Sequence, residues 1–268
     1  MAIYGFIGAG NMGGALATAL AKTVDGSKIY LSDSNSTRVA SLCETLGASA
    51  IDNVTAASTA DYLFLGVKPQ MMGEMLKGIA PTLAARTSPI VLVSMAAGLT
   101  TKTIQDMASG DYPVIRIMPN MPCAIGEGMI LYCTTEHVTD AQLATFLSDM
   151  QGAGVLTALP EALIDAGSAV SGCGPAFVDL FIEALADGGV RCGLPRDKAL
   201  LLAAQTTLGA AKLVLEDGRH PGELKDAVCS PGGTTIEGVR VLEEGAFRAA
   251  TMDAVIAAYE KTLSLKSK

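Results

Sequence analysis

As far as about residue 158, short apolar and β-branched runs alternate with segments whose apolar positions recur at helical spacing. The runs predict strands over 3–7 (IYGFI), 28–32 (KIYLS), 48–51 (ASAI), 61–67 (DYLFLGV), 89–95 (PIVLVSM), 114–118 (VIRIM), 129–133 (MILYC) and 154–158 (GVLTA). The pattern between them predicts helices over about 11–22, 36–46, 70–79, 100–108 and 139–150. Such alternation builds a mainly parallel sheet with helices on both faces. After Leu159-Pro160 the strand pattern stops. From Glu161 onward only helices are predicted: about 161–189 with an interruption, 195–217, 221–228, 234–244 and 246–264. The expected fold class is α/β, with a doubly wound sheet over 1–159 followed by an all-α domain over 160–268.

Several of the later helices are apolar around most of their circumference, as in ALLLAAQTTLGAAKLVL (199–215). In a domain of only about a hundred residues such a helix must pack against more than its own neighbours. Self-association through the C-terminal helices, as a dimer or an assembly of dimers, is the expectation; a central core helix is the alternative.

Composition narrows the function. No window supplies the ~18 uncharged apolar residues of a membrane span; the longest candidate, 199–211, is framed by Lys198 and Lys212. The opening MAIYGFIGAG runs into a strand without a basic leader, so no signal peptide is expected. A net charge of −8 and the absence of a Lys/Arg cluster argue against nucleic acid as a partner. Six cysteines lack any CxxC pair, and the two histidines lack metal-ligand spacing. Neither zinc nor a disulfide framework is expected, and a reduced cytoplasmic compartment follows.

Candidate chemistry starts at Gly8-Ala9-Gly10-Asn11-Met12-Gly13, a GxGxxG that follows a predicted strand and opens a predicted helix. Gly8 permits the tight turn, Gly10 lets the backbone approach a pyrophosphate, and Gly13 lets the helix pack on the strand. The helix N-terminus then favours the phosphate charge. This is a Rossmann-type dinucleotide site. Asp33, at the end of the second strand, is placed to accept from a ribose 2′-hydroxyl, which favours NAD. Ser32, Ser34, Asn35, Ser36, Thr37 and Arg38 crowd the same turn and could surround a 2′-phosphate, and Asp33 could instead cap the next helix. Further along, Val67-Lys68-Pro69 follows the fourth strand and Ala96-Ala97-Gly98 the fifth, at the strand ends where open α/β sheets bind ligands. Asn120, between two prolines after the sixth strand, offers an amide to a nicotinamide or simply stiffens a turn.

GFIGAGNMG resembles the opening of two groups of NAD(P)-dependent reductases, the β-hydroxyacid dehydrogenases and the pyrroline-5-carboxylate reductases. The first group carries a lysine after its second glycine-rich segment, and the stretch here, SAVSGCGPAFVDLFIEALADGG (168–189), has none. That stretch is similar to the S-G-x-G-P-A segment of the pyrroline-5-carboxylate reductases. So are VKP (67–69), AAG (96–98), MPN (118–120), ADGGV…GLPR (186–196), HPGELKD (220–226) and CSPGGTTIEGVRVLE (229–243), in the family's order. Met121 stands where the family often has Thr, Cys173 where Ser is common, and Asp33 is unusual beside a preference for NADPH.

The resemblance implies reduction of 1-pyrroline-5-carboxylate, a small-molecule substrate, to L-proline, with NADPH as cofactor and NADH possible given Asp33. It implies cofactor contacts at Gly8 to Gly13, Asp33, Ser34, Asn53, Val67, Lys68, Pro69, Ala96, Ala97, Gly98 and Asn120. Substrate contacts fall at Val228, Ser230, Gly232, Gly233, Thr234 and Thr235, with the Thr235 hydroxyl on the ring nitrogen as the catalytic group. It also places the SGCGP segment (171–175) near the active site. Cyclic-imine reduction needs a hydride, a proton on nitrogen and a grip on the carboxylate, but neither a nucleophile nor a metal. Most of the acceleration then comes from positioning. Thr234-x-x-Glu237 reads as a capping box, with Thr234 as N-cap of a helix whose free N–H groups suit a carboxylate. A related imine or β-hydroxyacid reductase, and a non-catalytic dinucleotide sensor, are the competing readings.

Overall fold

A computed structural model describes residues 2–266. In chain order it runs β1 (Tyr4–Ile7), α1 (Asn11–Leu20), β2 (Ile29–Ser32), α2 (Ser36–Leu46), β3 (Ser49–Ala50), α3 (Asn53–Thr59), β4 (Tyr62–Leu65) and α4 (Pro69–Ala84). Then come β5 (Val91–Ser94), α5 (Thr101–Ala108), β6 (Val114–Met118), β7 (Gly128–Thr134), α6 (Asp140–Asp149) and β8 (Gly154–Ala158). The helical part comprises α7 (Ile164–Ser171), α8 (Gly174–Arg191), α9 (Arg196–Asp217), α10 (Pro221–Ala227), α11 (Thr234–Glu244) and α12 (Phe247–Lys266). The chain divides into two compact units, Met1–Cys173 with Ala258–Lys268, and Gly174–Ala257.

The sheet has the order β3-β2-β1-β4-β5-β6-β7-β8. Pairing is parallel except between β6 and β7. That reversal follows from chain length: residues 119–127 are too few for the crossover of a dozen or more residues that a parallel return needs. Strand side chains alternate between two cores. Tyr4, Phe6, Phe64, Val93 and Ile117 face one side with Leu16, Leu20 and Phe146, while Ile7, Leu63, Leu65 and Leu92 face the other with Leu76 and Ile104. Phe6 stacks on Phe64 with centroids 4.3 Å apart, and Tyr4 on Tyr62 at 5.1 Å. Strand order reverses direction between β1 and β4, the point where such sheets take their ligands.

Two helices depart from the sequence pattern. α3 was not predicted, since NVTAAST offers no apolar repeat; Asp52 starts it by accepting from the Thr55 N–H at 2.6 Å. α4 continues through Pro81 to Ala84 because Ile79 and Leu83 are buried on either side of the exposed proline. In the second unit α8 packs on α9 through Ala186, Ala199 and Ala203, and a Cβ at Gly189 would come within 3.3 Å of Ala199 Cβ. This chain alone leaves Leu180, Leu201 and Leu215 from 62% to 83% exposed. By length and composition, Glu161–Arg191 and Arg196–Asp217 are long and apolar enough to cross a membrane, and only 11% of each window is buried within this chain.

Candidate active site

The turn from β1 to α1 is closed by glycines. Gly8 has φ +100°, and a Cβ there would lie 2.5 Å from the carbonyl carbon of Gly66. Cβ atoms at Gly13 and Gly66 would stand 2.1 and 2.4 Å from Gly8 O. The β1 turn, the first turn of α1 and the end of β4 are therefore in backbone contact. Gly10 is different: an added Cβ would meet Arg38 Nη1 at 3.7 Å and is otherwise unobstructed. Gly10 is also the N-cap of α1 and provides no side-chain cap, so the N–H groups at Asn11 and Met12 open onto that space. An anionic group fits there.

At the end of β2, Asp33 joins two loops. Its Oδ2 accepts from the Ala9 N–H at 2.8 Å and its Oδ1 from the Asn35 N–H at 2.9 Å. The capping alternative goes to Asn35, whose Oδ1 accepts from the Arg38 N–H at 3.0 Å. Both Asp33 oxygens are thus engaged with the backbone beside exposed Ser34 and Arg38. Asn53, the first residue of α3, accepts from the Ser32 hydroxyl at 2.6 Å. Val67 and exposed Lys68 lead into α4, with Pro69 as its first residue. Ala96 is buried, Ala97 is exposed and Gly98 turns at φ +79° before Thr100 caps α5. All these residues follow parallel strands and gather at one edge of the sheet.

Asn120 lies at the same edge with its side chain committed inside the protein. Its Oδ1 accepts from the Met129 N–H at 2.9 Å, and its Nδ2 donates to Ser171 O at 2.9 Å. Sequence reasoning passed over the charged cluster beside it. Arg116, 1% exposed on β6, donates to Asp165 Oδ1 at 2.9 Å and to Glu161 Oε1 at 3.3 Å. Glu161 also accepts from the Thr101 N–H at 2.7 Å and from its hydroxyl at 3.1 Å. Among the described residues, Arg116 Nε finds no hydrogen-bond partner in its buried position. The signal was a lone arginine within VIRIM, since a charge in a central strand has to be paired.

Cys133 stands opposite Arg116 in the β6–β7 register, and burial, reinforced by Glu161, pushes its thiol up to about 11. Iodoacetamide at pH 8 is expected to label exposed Cys192 well before Cys133, as peptide mass spectrometry would show. Equal labelling would contradict that environment. Among the described residues no group of three or more His, Cys, Asp or Glu side chains could hold a metal ion.

In the second unit, Ser230-Pro231-Gly232-Gly233 forms a β-turn in which the Gly233 N–H donates to Ser230 O at 3.0 Å. Pro231 presets the first corner and Gly232, at φ +67°, supplies the left-handed second corner of a type II turn. This corrects the capping-box expectation. The turn leaves Gly233 extended as N-cap, with Thr234 and Thr235 in the first turn of α11, and glycine offers no side-chain cap of its own. Glu237 pairs with Arg240 at 3.0 Å instead of reaching back. Thr234 and Thr235 are both exposed, and a Cβ at Gly233 would stand 2.3 Å from Ser230 Oγ, so the Ser230 hydroxyl lies over the helix start. Val228 and Cys229 lead from α10 into this turn, with Val228 exposed.

Residues 161–265 match the family model described as pyrroline-5-carboxylate reductase dimerisation, and residues 3–98 that described as NADP oxidoreductase, coenzyme F420-dependent. The chain is 42% identical over 267 residues to a pyrroline-5-carboxylate reductase of Methanosarcina acetivorans, covering 98% of each. It is 40% identical over 264 residues to that of Escherichia coli K12, covering 97% of each. Among solved structures, the Plasmodium falciparum pyrroline carboxylate reductase with NADP bound superposes with a TM-score of 0.86 at 32% identity, covering 99% of this chain and 98% of that one. The Coxiella burnetii pyrroline-5-carboxylate reductase gives 0.89 at 30% identity, covering 98% of both chains.

Proposed function

The chain belongs to the pyrroline-5-carboxylate reductase family, and from that premise we propose that it reduces 1-pyrroline-5-carboxylate to L-proline with NADPH, the last step of proline biosynthesis. The observation that carries this reading is the Ser230–Thr235 turn, which presents an uncapped helix N-terminus beside two exposed threonines and a serine. A dinucleotide sensor without chemistry would have no use for it.

NADPH supplies the hydride when bound. The uncapped N-terminus of α1 and the open space at Gly10 hold its pyrophosphate. Ser34 and Arg38 take the 2′-phosphate, while Asp33 braces the loop through Ala9 and leaves the phosphate to them. Val67, Lys68, Pro69, Ala96, Ala97 and Gly98 line the same sheet edge toward the nicotinamide. At the other site the free N–H groups of α11 and the Ser230 hydroxyl grip the substrate carboxylate, with Gly232 and Gly233 keeping the approach clear. Thr235 hydrogen-bonds the ring nitrogen and orients the proton there. The helical domain self-associates, and Leu180, Leu201 and Leu215 mark the surface that becomes buried when copies pair as a dimer or an assembly of dimers. A cytoplasmic location completes the reading.

The test follows nicotinamide absorbance in mixtures of protein, pyrroline-5-carboxylate and either cofactor. Consumption should be faster with NADPH than with NADH at equal concentration, and none with either cofactor would overturn the proposal. Thr235→Ala should lower kcat by about 100-fold or more while leaving the thermal transition in place. Unchanged kinetics would remove Thr235 from the chemistry.

A further inference from the structure

β6 runs parallel to β1, β4 and β5, so its C-terminal end lies on the edge where the glycine turn, the Lys68 loop and the Ala96–Gly98 loop gather. α7 is fastened to β6 at both ends. Arg116 holds its beginning through Asp165, and Asn120, just beyond the strand, holds its last carbonyl at Ser171. The Asn120 side chain has its oxygen on the Met129 N–H and its nitrogen on that carbonyl, and the residue is only 8% exposed. The Cys123 Sγ also approaches that oxygen, at 3.9 Å, so a cofactor carboxamide would find only the second amide hydrogen open to it, inside a buried site. The Gly172 and Cys173 N–H groups in turn close on Ser168 O at 2.8 and 3.1 Å, so the chain leaving α7 is set by where Asn120 anchors it.

We infer that Asn120 is a positioning residue and not a cofactor ligand: it fixes the Ser171-Gly172-Cys173 exit of α7 at the ligand edge of the sheet. The inference deepens the reductase reading and rests on it for its kinetic part alone. Asn120→Asp separates the two roles, because a carboxylate still accepts from the Met129 N–H but faces Ser171 O without a donor. NADPH affinity, read by fluorescence titration, should stay within about twofold, while kcat/KM for the imine falls by about tenfold or more. Amide exchange over 166–173 should rise above wild type while that of β4 stays unchanged.

A tenfold weaker NADPH affinity with unchanged exchange at 166–173 would make Asn120 a cofactor ligand and overturn the inference. Unchanged kinetics and exchange would overturn it as well. Should wild type consume no NADPH with the imine, the reductase reading fails, and the NADPH affinity and exchange data still decide the role of Asn120. Should Asn120→Asp fail to fold, wild type decides alone: NADPH must leave the exchange of the Met129 amide unchanged, and a cofactor-induced loss of its protection would mean that Asn120 turns to the nicotinamide.

Discussion

Gly13→Ala is expected to abolish dinucleotide binding and to destabilise the sheet domain by about 3 kcal/mol, at the upper end for overpacking a tight contact. On helix propensity alone the change would be favourable by up to about 1 kcal/mol. The sign is reversed because the new methyl would stand 2.1 Å from Gly8 O, a backbone atom. Gly8 cannot retreat, since its own Cβ position lies 2.5 Å from the Gly66 carbonyl carbon. The first turn of α1 must therefore move outward, and the N–H groups that would hold the pyrophosphate move with it. Gly78→Ala in α4 is the control, because nothing lies within 4 Å of its added Cβ. Urea unfolding should show Gly78→Ala as stable as wild type or slightly more so. Equal effects of the two substitutions would refute the packing argument.

The central strands were legible because the sheet is covered on both faces, which forces nearly continuous apolar runs such as YLFL and VLVS, whereas the edge strands β3 and β8 are exposed or half-buried throughout. The glycine turn was legible for a related reason, since backbone contacts as short as those at Gly8 and Gly13 leave one residue type possible. What escaped was decided by partners distant in sequence or by a local competition. α3 depends on the Asp52 cap and on burial of Ala56 and Ala57, neither of which has an apolar period of its own. At Thr234 two local signals conflicted. The capping-box spelling favoured Thr234, but the Pro231-Gly232 turn delivers the extended conformation one residue earlier, at Gly233. Asn120 was legible as a special residue, yet its bond to Ser171, 51 positions away, could not be read from MPNMP.

The same limit applies to Arg116, whose partners lie 45 and 49 positions away. Arg116→Met is expected to destabilise the first unit by about 3–5 kcal/mol, the usual cost of removing one member of a buried ion pair. The side chains decide which partner matters. Asp165 is 4% exposed and takes the shorter of the two bonds, whereas Glu161 is 32% exposed and keeps its bonds to Thr101. Glu161→Gln should therefore cost much less than Arg116→Met, because solvent already screens that pair. Because the two side chains bond each other, Arg116→Met with Asp165→Asn should cost less than the sum of the two single substitutions. Equilibrium unfolding of Arg116→Met, Asp165→Asn and the double variant closes that cycle. If the double variant is as unstable as the sum of the singles, the Arg116–Asp165 pair contributes no coupling, and the anchoring of α7 must rest on apolar packing of Ile164 with Met118 and Leu131.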